Sequence, residues 1–130
     1  MEKIGKMSNT SSQPRTRSWQ KRENPELRRL RSSKRWQELR ERILTEHPLC
    51  YLCRRLGMAP RLATEVHHIM PAAEAVKRGG EEAFYELRNL VPLCSYHHDR
   101  NESAWRNGLA ETLFPEADRL TEKEAAKCRE

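Results

Sequence analysis

The sequence predicts a small α+β domain in which one helix precedes a strand–loop–strand–helix unit. Three observations carry that expectation. Trp36, Leu39, Ile43 and Leu44 recur at helical spacing just after two serines able to cap a helix. Two short β-type runs, 63–69 and 90–93, flank a segment that contains Gly79-Gly80. Two pairs of soft metal-ligating residues, Cys50-x-x-Cys53 and Cys94-x-x-His97, enclose both of those runs and the segment between them.

Bulk composition limits the core such a chain can build. With 130 residues, 36% hydrophobic and 34% charged, and a mean hydropathy of −0.98, it suits one domain with flanking sequence and a small core. A domain of that kind gains from a staple. The longest apolar run falls far short of the roughly 20 residues that span a membrane. No signal-peptide apolar stretch follows Met1, so a soluble intracellular protein is expected. The net charge is +6, and it is unevenly spread. Residues 1–49 hold 13 Lys and Arg against 6 acids, whereas residues 50–130 hold 12 against 13. A basic segment interleaved with Trp19 and Trp36 suits a polyanion, or serves only as a solubilising tail.

Taken in order, residues 1–25 are rich in Ser, Thr, Gln, Pro and Arg, show no period and are expected to be disordered. Ser32 or Ser33 caps a helix over 34–44, with Arg35, Glu38, Arg42 and Glu46 on its solvated face, and Pro48 ends it. Residues 63–69 read as a strand stopped by Pro71. A loop through Gly79-Gly80 and a short helix near 81–87 lead to a second strand at 90–93. Ser95 opens a helix expected to run to about Asn107, with Gly108 as its stop. Beyond Phe114-Pro115 the chain turns charged and is expected to dock weakly or fray. The expected organisation is therefore a basic arm at 1–25, a folded domain at 32–108 and a charged tail at 109–130.

Cys50, Cys53, Cys94 and His97 together offer the four ligands of one tetrahedral zinc ion. The gap between the pairs is too long for a nucleic-acid-reading finger and suits a structural staple. The competing readings are four unrelated residues or a Cys50–Cys53 disulfide, which an intracellular setting disfavours. Cys128 stands apart as a free thiol. His97 and His98, about 100° apart on a helix, cannot easily serve one ion. The pair spacing assigns His97 to zinc and leaves His98 for other chemistry. His47, before Pro48, reads as structural.

Val66-His67-His68-Ile69, Asn89-Leu90-Val91-Pro92-Leu93-Cys94 and Cys94-x-x-His97-His98 closely resemble the motifs of the HNH endonucleases, above all the small stand-alone kind carried by bacteriophages. The resemblance spans roughly residues 32–107 and implies a ββα-metal (His-Me finger) core with a zinc staple. It implies that His67 and His98 ligate a catalytic divalent metal and that His68 is the general base. It implies that Asn89 holds the loop and orients the base, and that Glu102, one helical turn after His98, joins the metal site; Asn101 is its less favourable neighbour. It further implies a bend that brings His67 and His68 into one cleft, since an ideal strand points neighbours to opposite sides.

The chemistry agrees with these roles. A histidine near its ordinary pKa of about 6.5 can take a proton at neutral pH. A divalent cation (Mg²⁺, Mn²⁺, Ni²⁺ or Zn²⁺) can relieve charge on a phosphodiester. The expected activity is metal-dependent DNA hydrolysis, with Arg15, Arg17, Lys21, Arg22, Lys34 and Arg35 gripping the backbone. The alternative is a zinc-stapled nucleic-acid-binding module without catalysis. Likeness to phage-borne proteins adds an expected role in phage DNA packaging beside terminase and portal proteins, in the cytoplasm of an infected or lysogenic bacterial host.

Overall fold

The structure, a computed structural model, describes residues 23–121. Arg15, Arg17, Lys21, Arg22 and Cys128, with most of the expected arm and the end of the expected tail, lie outside the described residues. The described residues divide between two units at Ser32 and Ser33. The first holds helix α1, Pro25–Arg31, ahead of the expected onset of order near Ser32. Its signals are local. Asn24 Oδ1 accepts from the Leu27 N–H at 2.8 Å, Pro25 opens the helix, and Arg28, Arg29 and Arg31 crowd its negative end.

The second unit carries the expected helix, strand, strand, helix order with further helices added. Ser33, of the two serines, caps α2, Lys34–Glu46, by accepting from the Trp36 N–H at 3.1 Å. Trp36 and Ile43 of the apolar stripe are buried. His47 ends the helix ahead of Pro48. Cys50 then caps a short helix α3, Tyr51–Arg55. An isolated antiparallel bridge between Leu49 and Leu62 closes the loop behind it, with Cys50 N–H bonded to the Arg61 carbonyl at 2.9 Å.

Strands β1, Glu65–His68, and β2, Leu90–Leu93, pair antiparallel, with His67 opposite Val91 and His68 opposite Leu90. Pro92 is tolerated because a two-stranded sheet leaves each strand an outer edge. The connection holds helix α4, Ala72–Gly79, in place of the expected loop. The signals for it are alanine-rich sequence, Glu74 in the first turn, and a Glu74–Arg78 pair at 2.8 Å. Gly80, at φ +79°, ends α4 in a conformation that other residues rarely adopt. Two 3-10 turns, Glu81–Tyr85 and Leu87–Asn89, complete the connection.

Helix α5, Ser95–Arg100, is shorter than expected, and residues 101–108 form successive turns. The Asn101 side chain donates to the His97 carbonyl at 2.8 Å and so competes for the helix's own acceptors. Gly108, at φ +74°, ends the turns. Residues past 108 belong to the fold. Helix α6, Ala110–Leu113, and the residues after it bury Ala110, Phe114 and Leu120, so the expected tail supplies core.

Two groups of packed side chains stand out among the described residues. Phe84, fully buried, meets Trp36 edge-on at 4.9 Å between ring centroids and touches His68 and Tyr85. Phe114, Ile69, Val91 and Leu93 pack with the three buried cysteines. In a core this small each large ring matters. Phe84→Ala is expected to cost about 3–5 kcal/mol, read as a lowered urea midpoint, while Phe84→Leu retains most of that stability.

Candidate metal centre and histidine pair

Cys50, Cys53, Cys94 and His97 form a buried Cys3His group, drawn from the start of α3 and the start of α5. Their ligand atoms all lie within 4.8 Å of one another. His97 Nδ1 is 3.4 Å from Cys50 Sγ, 3.6 Å from Cys53 Sγ and 3.5 Å from Cys94 Sγ, and the Cys53 and Cys94 sulfurs are 4.0 Å apart. A zinc tetrahedron with ordinary bond lengths has edges of about 3.6 Å between sulfur and nitrogen and about 3.8 Å between sulfurs. The group is consistent with a structural zinc ion.

Charge chemistry in the group differs from member to member. Burial, then the neighbouring Cys50 and Cys94 sulfurs, push the Cys53 thiol up to about 11. At Cys94 burial acts upward too, but the His97 backbone N–H, Cys50 and Arg61 outweigh it and hold the thiol below its ordinary value. Burial, followed by the Arg61 and Arg100 charges, lowers His97 and so favours the neutral ring a ligand requires. A divalent cation here ionises the thiols, and its binding energy becomes folding energy.

The paired histidines of β1 part across the pleat, as strand geometry dictates. His67 meets His98 edge-on at 5.4 Å and lies 5.7 Å from Phe114. His68 stacks on Trp36 at 5.2 Å, meets Phe84 at 4.7 Å and donates from Nε2 to the Phe84 carbonyl at 3.0 Å. A carbonyl can only accept, so Nε2 carries the proton and Nδ1 is the basic nitrogen. The two rings thus have different ring contacts. Burial, then His98 and His68, lower His67 to about 3.

Asn89 ties the ends of the connection together. Its side chain accepts from the Met70 N–H at 2.7 Å and donates to the Met70 carbonyl at 2.9 Å. Its own carbonyl accepts from the Ile69 N–H at 2.8 Å. The segment just after His68 is therefore clamped to the residue that precedes β2.

His98 is half-buried, and its Nδ1 lies 3.6 Å from Asp99 Oδ1. His98, Asp99 and Glu102 bring ligand atoms within 4.8 Å of one another. Glu102 reaches this group from the turns after α5 rather than from a continuing helix. Asp99 is the member that helix spacing does not suggest, because one residue along a helix means a 100° rotation. Lys34 faces Glu38 at 4.0 Å, and Arg35 is bidentate to Glu82 at 2.8 Å, so the charge expected on this helix for a polyanion is partly neutralised within the fold. A cavity of about 610 Å³ is lined by Tyr51, Arg55, Val91, Phe114 and Arg119, among others, and includes none of the histidines of the pairs.

Two outcomes are expected. Cys94→Ser protein should lose bound zinc together with its cooperative thermal transition, and a strong chelator should do the same to the native protein. A native melt from a zinc-free Cys94→Ser protein would count against the centre. The second outcome concerns acid. His67 titrates near 6.5 when unfolded and about 3 when folded, so between those values the unfolded chain binds the extra proton. Stability should be full above about pH 6.5 and fall as pH drops toward 3. His67→Phe should make that fall shallower in urea titrations along a pH series.

No family model matches the chain, and neither a curated protein nor a solved structure matches it.

Proposed function

We propose that this chain is a metal-dependent DNA endonuclease of the HNH kind, hydrolysing phosphodiester bonds with His68 as general base. The observation that carries the reading is the convergence of His67 from β1 and His98 from α5 at 5.4 Å, beside Asp99 and Glu102. His67, His98 and Glu102, with Asp99 next to them, would hold a divalent cation, which supplies charge relief at the phosphoryl oxygens and the departing 3′ oxygen. The low pKa of His67 suits that place, since a neutral imidazole can donate without first losing a proton.

His68 takes the proton of the attacking water at Nδ1. The Phe84 carbonyl holds the opposite nitrogen protonated, which fixes the tautomer and stabilises the imidazolium that forms. Because His68 is the last residue of β1 and lies across the pleat from His67, the scissile phosphate must sit at the strand's end. The Asn89 clamp on Met70 keeps that end rigid. A role beside terminase and portal proteins in phage DNA packaging is compatible with this chemistry and rests on the sequence resemblance alone.

The test is cleavage of supercoiled plasmid with and without divalent metal. His68 is only 8% exposed, so truncation to Ala would also open a hole and orphan the Phe84 carbonyl. His68→Gln keeps a donor and most of the volume. It is expected to retain the fold while lowering the rate by about 10²–10⁴. Wild-type speed in His68→Gln would remove the base assignment. Binding without any cleavage by the native protein would favour the zinc-stapled binding module.

A further inference from the structure

Five arginines of the second unit are spent on carboxylates within the fold. Arg35 meets Glu82, Arg55 meets Asp118, Arg78 meets Glu74, Arg88 meets Glu116 and Arg119 meets Glu111. Arg61 and Arg100 are different. Among the described residues neither pairs with a carboxylate, and both guanidiniums lie over the ring of Tyr96, at 4.5 Å and 4.3 Å from its centroid. All three residues are exposed, Tyr96 by 40%. Cation–π contact holds both guanidiniums in place without neutralising them, although Arg61 also hydrogen-bonds the Cys94 sulfur.

We propose that Arg61, Tyr96 and Arg100 form a second nucleic-acid contact, a phosphate grip displaced from the histidine site. The inference rests on the nuclease reading and adds to it where the backbone is held. Two fixed like charges converging on one exposed aromatic ring are unfavourable alone and are relieved by a polyanion. Position supports this occupant. Tyr96 and Arg100 are four apart, on one flank of α5, whereas His98 is about 200° of helical rotation from Tyr96 and projects from the other flank. A helix is roughly 10–12 Å across, so the grip engages a different phosphate from the one being cut. It belongs to binding rather than to the chemical step. The Lys34–Arg35 end of α2, by contrast, has part of its charge already matched.

The experiment measures affinity of the full chain for a labelled mixed-sequence duplex across a salt series, beside single-turnover cleavage at saturating DNA. Removing one phosphate contact should flatten the slope of log affinity against log salt by about 0.9. Arg100→Gln should therefore flatten it by about 0.9, and the Arg61→Gln, Arg100→Gln double variant by about twice that. The saturated cleavage rate should stay unchanged. Arg88→Gln, which removes a paired arginine, should leave the slope as it is. Arg61 also touches Cys94, so zinc content is measured in each variant, and Arg100→Gln alone decides the matter if the double variant loses metal. A native slope in Arg100→Gln, in a protein that binds and cuts DNA, overturns the grip and leaves the nuclease reading standing. Failure of the native protein to bind the duplex at all overturns both.

Discussion

Everything in the second unit depends on the junction of residues 50–53 with residues 94–97. This chain is polar, and among the described residues one core cluster is built around three cysteines. Cys50 and Cys94 stand at the starts of α3 and α5, so the cluster joins the element that precedes β1 to the element that follows β2. With an ion in the group, the hairpin is closed at its base by bonds stronger than any apolar contact available to so few residues. The orientation of α5 follows from this junction, because His97 is drawn inward. With His97 turned in, its neighbours must face outward along the two flanks. His98 meets the β1 histidine on one side, and Tyr96 meets the arginines on the other.

Strand geometry makes the second division of labour. Alternation along β1 sends His67 toward α5 and Phe114, and His68 toward Trp36 and Phe84. Two identical side chains one residue apart thereby acquire different chemistry. His67 is desolvated beside another histidine and stays neutral far into acid. His68 is fixed in one tautomer by a backbone carbonyl. That carbonyl comes from a 3-10 turn that Arg35 helps to anchor, through Glu82 at 2.8 Å and its place 3.9 Å over the Tyr85 ring. Arg35, one of the residues expected to hold DNA, also steadies the wall behind His68.

Local rules written in the residue order predict a good deal of this protein. Ser33 and Pro48 bound α2, the β-type runs at 63–69 and 90–93 contain the strands, and the matched C-x-x-C and C-x-x-H spacings name the four members of the buried group. Each depends on neighbours within a few residues, where capping, proline geometry and ligand spacing act. Helix α4 is also legible, in its alanines and its Glu74–Arg78 pair, but Pro71 and Gly79-Gly80 on either side of it read as loop signals and mask it.

Tertiary structure decided the rest, because it turns on distances between segments that no local pattern encodes. It set His98 of α5 against His67 of β1. It drew Phe114 into the core, although the charged sequence around it reads as a tail. It kept the paired histidines on separate sides of the hairpin and matched Arg35 with Glu82 while leaving Arg61 and Arg100 on Tyr96. Sequence by itself determined which residue types could hold a metal or move a proton. The packing of a small core around one cysteine junction determined which of them meet, since burial and charge matching are properties of the assembled neighbours.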